Sequence, residues 1–319
     1  MRTHLIRRLL TAIPVLMGIS VVLFTVLAMA PGDPFEELAT NPNVPPEVRM
    51  NLRAQFGLDD PIALRYVRWL VSMLKGDWGF SFVSRVNVDT LILQRLPTTV
   101  YILGLAQLLA LLIAVPVGIY SAVRPYSVFD QVATTLAFIG FSLPTFFTGL
   151  LFILLFSIYL DWLPFIYRSD LQSTGLRWAW ESFKQGIMPI TVFGLFQGAS
   201  LTRFVRSSVL EIVRLDYVNT ARAKGLSERW TVVKHVVRNA LIPVVTLVAL
   251  QIPTIFTGAV ITEQIFRVPG IGSLLIASIL SNDTPVVMAV TFVFSCLVVV
   301  FNLVADLVYG WLDPRISYR

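Results

Sequence analysis

Residues 96–123 read LPTTVYILGLAQLLALLIAVPVGIYSAV, with no Asp, Glu, Lys or Arg among them. About 20 apolar residues in helical form cross the ~30 Å hydrocarbon layer of a bilayer. No water is present there to satisfy backbone N–H and C=O groups, so a chain that crosses must bond its own. The same test picks out 9–32, 131–160, 185–202, 239–262 and 284–305. The expected fold class is all-α, a polytopic membrane protein with six transmembrane helices. A further uncharged run, 268–282, is 15 residues long and opens Val268-Pro269-Gly270-Ile271-Gly272. It is too short to span and predicts a re-entrant or interfacial helix.

Composition agrees. Of 319 residues, 56% are hydrophobic and 14% charged, and the mean hydropathy is +0.75. A soluble domain carries about 25% charged residues. Cys296 is the single cysteine, so no intrachain disulfide can form. Disordered, collagenous and disulfide-stapled classes are excluded on the same figures. The N-terminal run ends in Ala28-Met29-Ala30, as a signal peptide can. It is longer than the usual ~7–15-residue signal core, and Pro31 would follow the cut, so it is read as the first membrane helix.

Charge orients the spans. With both termini inside, the cytoplasmic segments are 1–8, 124–130, 203–238 and 306–319, holding 14 basic and 6 acidic residues. The external segments 33–95, 161–184 and 263–283 hold 11 basic and 13 acidic residues. The +8 inside and −2 outside account for the whole net charge of +6. The basic balance is a topology signal, and no nucleic-acid partner is needed to explain it.

The chain divides into a first transmembrane helix (1–30), an external cap segment (31–95) and a core with five helices (96–319) that includes a hairpin at 203–240. In the cap, Glu47 to Gln55 reads as a helix. Asp60-Pro61 starts another that runs to about Leu74, since Pro fits a first helical turn. Trp69, Leu70 and Trp78 give the segment apolar faces, consistent with a folded piece that meets a partner. In the hairpin, Arg206 to Lys224 reads as helix and Gly225 sits where a helix-ending glycine belongs. Ser227 then offers an N-cap, with Glu228 in the next first turn.

Several chemistries are missing. The two histidines, His4 and His235, lie far apart and form no zinc-binding set with Cys296. Ser142 and Ser200 have no base beside them, so no catalytic residue is expected, and no metal site. No Gly-Lys dipeptide occurs, hence no Walker A loop. No cofactor is expected on this chain, and ATP with Mg would have to act through partner subunits. Acids are nearly absent from the spans; Glu263 and Asp306 fall at span ends. Ion-driven carriers need buried ionisable relays. The neutral polar residues Gln107, Gln197, Gln251 and Asn302 either line a path or bond helix to helix.

The hairpin carries the strongest signal. It reads Asp216-Tyr217-Val218-Asn219-Thr220-Ala221-Arg222-Ala223-Lys224-Gly225-Leu226-Ser227 and continues to Pro243. This segment resembles the coupling loop of ATP-binding-cassette importer permeases, in their dipeptide/oligopeptide branch. The general motif there is Glu-Ala-Ala, three residues, then Gly. Here Asn219 and Thr220 replace the first two, while Ala221 and Gly225 match. Pro31-Gly32-Asp33-Pro34, Gly57-Leu58-Asp59, Gly76-Asp77-Trp78-Gly79, Leu96-Pro97-Thr98-Thr99 and Ser142-Leu143-Pro144 resemble the same branch. So do Glu263-Gln264-Ile265-Phe266, Pro269-Gly270-Ile271-Gly272 and Asp313-Pro314-Arg315. The long segment after the first span is similar to the first of the two permeases in such systems.

The resemblance implies a type I importer permease in a bacterial or archaeal cytoplasmic membrane. Its partners would be a second permease completing the pore as a heterodimer, two ATPases and an extracytoplasmic substrate-binding protein. It implies that Asp216, Tyr217, Asn219, Thr220, Ala221, Arg222, Ala223, Lys224, Gly225 and Leu226 seat in a groove of one ATPase. Arg222 and Lys224 would pair with acids there. Ser142, Pro144, Gln197 and Gln251 are the candidates for the translocation path. The substrate stays open among dipeptides, longer peptides, nickel complexes and oligosaccharides. Other readings are a stand-alone secondary transporter, a membrane scaffold or receptor, and, for 203–238 alone, a basic segment on anionic lipid.

Overall fold

The computed structural model describes residues 2–29, 47, 50–51, 57, 59–168, 171 and 173–312. Among these the chain is helical, and the extended pairing is one isolated bridge between Phe80 and Asn87. The motifs at 31–34 and 313–315 lie outside the described residues, as does most of the helix expected at 47–55.

The first helix, α1, is Arg2–Met29 and α2 is Ile62–Leu74. They are followed by α3 (Val88–Val123), α4 (Val128–Ser142) and α5 (Thr145–Phe152), which runs on as a π-helix over Ile153–Tyr159. Then come α6 (Gly175–Val213), α7 (Asp216–Ala223) and α8 (Glu228–Thr231). A π-helical stretch, Val232–Val237, joins α8 to α9 (Arg238–Ile265); α10 (Ile271–Leu280) and α11 (Thr284–Leu312) complete the chain.

Among the described residues, four helices are long and apolar enough to cross a membrane, over Leu10–Met29, Val88–Val123, Glu228–Gln251 and Thr284–Leu307. The span expected at 131–160 is two helices, α4 and α5, bent by 100°. Its cause is local. Pro144 forces the preceding residue out of the helical region, and Leu143 is extended at φ −80° and ψ 128°. Counting the bent pair as one gives five spans.

The stretch 185–202 does not qualify by apolarity, although it lies inside the 39-residue α6. The reason is position. Gln185, Met188, Val192, Phe193, Gly198, Leu201, Thr202 and Val205 are all buried, so α6 is enclosed by other helices. A helix walled in by protein need not be apolar all round. It needs small surfaces that let neighbours approach. Ala106, Ala110 and Ala114 on α3 are fully buried, one turn apart. A Cβ added at Gly198 of α6 would stand 3.4 Å from the Ala110 Cα. At Gly118 it would collide with Val205 at 2.7 Å.

The chain forms two compact units. One comprises Thr98–Gly272 with the end of the chain from Val300, the other Arg2–Pro97 with Ser273–Val299. In the first, α6 packs against α4, α5 and α9. In the second, α1 packs on α2 through Phe24, Tyr66 and Trp69, and Trp69 meets Phe292 of α11 edge-on.

Candidate functional site

The hairpin is built on a buried base. Val218 of α7 is fully buried in a cluster with Ala122 of α3, Val205 and Val209 of α6, Val236, and Ala240 and Val244 of α9. Ala221, three residues along α7, is buried as well. Ser208 of α6 donates a 2.8 Å hydrogen bond to the Ala240 carbonyl beneath them. The helix expected over 206–224 is therefore broken at Arg214-Leu215, where Leu215 turns extended at φ −74° and ψ 147°. The break lets α7 fold back and seat Val218. Two of its eight residues, Val218 and Ala221, are buried, and most of the rest of α7 faces out.

The exposed side carries Tyr217, Asn219, Thr220, Ala223, Lys224, Gly225 and Leu226. Tyr217 is pinned, its hydroxyl donating to the His235 carbonyl at 3.3 Å and accepting from Asn239 at 3.1 Å. Gly225 ends the helix at φ +81° with open space where a Cβ would sit. Its glycine is required by the backbone angle and not by crowding. Ser227 occupies the N-cap position of α8 but makes no side-chain cap bond.

Arg222 has partners within the hairpin itself. It grips Glu228 across the turn with two bonds, 3.0 and 2.7 Å, and also donates to Asn219 at 3.3 Å. The Glu228 carboxylate raises the pKa of the guanidinium. Arg222 thus staples the two arms of the hairpin from within, and Lys224 is left as the exposed cation of the motif. Lys234 stacks on Trp230 with its Nζ 5.3 Å from the ring centre.

A second tie was not readable from the sequence. Arg206 of α6 binds Asp130 of α4 through two bonds of 2.6 and 2.8 Å, and the Asp130 side chain is 3% exposed. Asp130 also accepts from the Tyr126 amide at 2.9 Å and from Thr134 at 3.3 Å. The short 124–130 connection is thereby fixed to the helix that enters the hairpin.

The candidate path residues lie on α4, α6 and α9 and at the bend that follows α4. Ser142 and Pro144 are exposed at the α4–α5 bend, while Gln197 and Gln251 are half-buried on α6 and α9. The structure also brings together Glu263 and Thr99, from two of the quoted motifs. Glu263 is 1% exposed although it was expected at a span end. The Thr99 hydroxyl donates to its Oε1 at 2.6 Å and accepts from the Ile271 amide at 2.8 Å. A Cβ at Gly270 would overlap the Glu263 carboxyl, and one at Gly272 would press on the Val260 backbone at 2.8 Å. The Pro-Gly-Ile-Gly run is a wrapper fitted around a buried acid.

In the other unit, buried Asp283 performs a comparable task. Ser81 donates to Asp283, and the amides of Phe82 and Val83 approach its carboxylate at 3.2 and 3.4 Å. The turn after Gly79 is thus tied to the start of α11.

Comparison with known proteins follows this geometry. The model of the family described as binding-protein-dependent transport system inner membrane component matches residues 114–318. A companion model, the N-terminal part of binding-protein-dependent transport system membrane components, matches residues 1–103. The chain is 40% identical to the oligopeptide transport system permease protein AppB of Bacillus subtilis (strain 168), over 100% of both chains. It is 35% identical to the glutathione transport system permease protein GsiC of Salmonella paratyphi A, again over 100% of both. To the dipeptide transport system permease protein DppB of Escherichia coli (strain K12) it is 34% identical with the same full coverage. Among solved structures, the crystal structure of an amino acid ABC transporter with histidines matches 70% of this chain and 94% of its own, with a TM-score of 0.52 at 11% identity.

Proposed function

The chain belongs to the family of binding-protein-dependent transport system inner membrane components, and from that premise we propose how it works and what it carries. It is the pore-forming subunit of an importer for short peptides. The relatives named for oligopeptide, glutathione and dipeptide transport support peptide as the cargo. A second permease completes the pore, two ATPases supply the energy, and an extracytoplasmic binding protein delivers substrate. Both termini lie in the cytoplasm, a reading the charge split supports.

The observation that carries the reading is the seating of α7. A lever must be stiff where it joins the spans and open where it meets its driver. Val218 and Ala221 lock α7 to α3, α6 and α9, while Thr220, Ala223, Lys224 and Leu226 stand out around the bare Gly225 turn. Closure of the ATPases on ATP would push this face. The rigid base would pass the displacement to α6 and α9 as a switch between two packings. Small residues on the outward face allow close approach, and screened surface charges such as Lys224 add only ~0.2–1 kcal/mol each.

The experiment is uptake of a labelled dipeptide into liposomes. The complete transporter with its binding protein should accumulate peptide only with ATP on the ATPase side. Accumulation by this chain alone, driven by an ion gradient, would replace the reading with that of a secondary transporter.

A further inference from the structure

The helix α2 has an apolar face that the chain leaves uncovered. Its inward side is Tyr66, Trp69 and Met73, packed toward α1 and α11. At 100° per residue the opposite side is Leu64, Val67, Val71 and Leu74. These are exposed, Val67 at 53% and Leu74 at 80%. Leu70 and Ala63 make one flank apolar as well, so polarity is confined to the single strip Arg65, Arg68 and Ser72. A helix apolar over so much of its circumference is stable in water only when covered.

Its depth is set by what it touches. The Tyr66 hydroxyl is 2.9 Å from the Ser20 hydroxyl, and Ser20 lies midway along the span Leu10–Met29. At ~1.5 Å per residue, Ser20 is ~14 Å and Phe24 ~8 Å from the Met29 end. Trp69 meets Phe292 at 6.0 Å between ring centres, and Phe292 lies ~12 Å along α11 from Thr284. Half the hydrocarbon layer is ~15 Å. The inner face of α2 is therefore level with the spans and not above their ends.

We infer that α2 lies within the bilayer leaflet nearest Met29 and Thr284, with Leu64, Val67, Val71 and Leu74 against lipid acyl chains and the Arg65–Arg68–Ser72 strip toward the headgroups. Charge complementarity fits this occupant. Arg68 carries its ion pair to Asp60 on the polar strip, with 60% of its side chain exposed, and long basic stems reach water from an apolar bed. Lys75 follows at the end of the helix. Such placement is that of an interfacial amphipathic helix. It also removes α2 from the surface that a substrate-delivery protein can reach, although α2 belongs to the polar segment 31–95.

The test uses the complete transporter in lipid nanodiscs, with Cys296→Ser as background. Nitroxide labels are placed singly at Val67→Cys, Val71→Cys and Arg68→Cys. Collision with dissolved oxygen, which concentrates in lipid, is compared with collision with a water-soluble nickel chelate. The expected result is oxygen dominance at 67 and 71 and chelate dominance at 68. Chelate access at 67 and 71 equal to that at 68 would overturn the inference, because the face would be in water. Shielding of 67 and 71 from both reagents would also overturn it, because another protein would then cover the face. Peptide uptake by each labelled transporter certifies assembly, and Leu64→Cys replaces any variant that fails it.

Discussion

Thr99 and Glu263, 164 residues apart in the chain, share a 2.6 Å hydrogen bond in a site closed to solvent. Thr99 also accepts the Ile271 amide. One hydroxyl thus joins α3, the end of α9 and the start of α10. Thr99→Val keeps the shape and leaves two buried groups short of a partner, a loss of ~1–3 kcal/mol. The melting temperature of the purified protein should fall clearly for Thr99→Val and little for Thr99→Ser. Equal melting of Thr99→Val and the parent would show that the bond contributes nothing.

The glycine wrapper gives an internally controlled pair. Gly270→Ala drives a methyl into the Glu263 carboxyl, whereas Gly104→Ala meets nothing within 4 Å. Gly104 lies inside α3, where alanine is favoured by ~1 kcal/mol. Gly270→Ala should lower the melting temperature and Gly104→Ala should hold or raise it.

The Asp130–Arg206 pair is buried on the acid side and partly open on the arginine side. Removing one partner of a buried pair costs ~3–5 kcal/mol, and the open arginine places this one toward the lower end. Asp130→Ala and Arg206→Ala should each destabilise, and the double variant should recover part of the loss. Simple additivity in this thermodynamic cycle would mean that the two do not act as a pair.

Asp283 is expected to fix the turn after Gly79. Asp283→Ala frees the Ser81 hydroxyl and the Phe82 and Val83 amides. Hydrogen exchange should rise at 81–84 with little change in α6. Unchanged protection there would mean that other bonds hold the turn.

What the sequence shows of this molecule follows its solvent. Residues 96–123 and 284–305 face lipid along enough of their length to need continuous apolarity, and both appear as helices within α3 and α11. The positive φ of Gly225 and the start of α2 after Pro61 are local backbone matters, and they were legible. The stretch 185–202 was legible as an uncharged run, but not the full 39-residue length of α6 nor its enclosure, since Gln185 and Thr202 are buried against protein. The Leu143-Pro144 break was hidden by an uninterrupted apolar run. The pairings of Glu263 with Thr99 and Asp130 with Arg206 leave no trace in local spacing, because each partner lies on a distant helix. The bond of Arg222 to Glu228, six residues on across the Gly225 turn, was not read from the sequence either.

The central claim is that the outward face of α7 transmits ATP-driven motion. Ala223 is exposed and Gly225 has open space around it, so Ala223→Trp should leave the fold intact while blocking close approach of a partner. The direct measurement is ATP-dependent peptide uptake by the complete reconstituted transporter carrying Ala223→Trp, with Gly225→Asp in parallel. The account predicts that the Ala223→Trp chain still inserts with an unchanged melting temperature while uptake is abolished, and that Gly225→Asp, strained at φ +81°, loses uptake with some loss of stability. Parental uptake by an inserted Ala223→Trp transporter would contradict it.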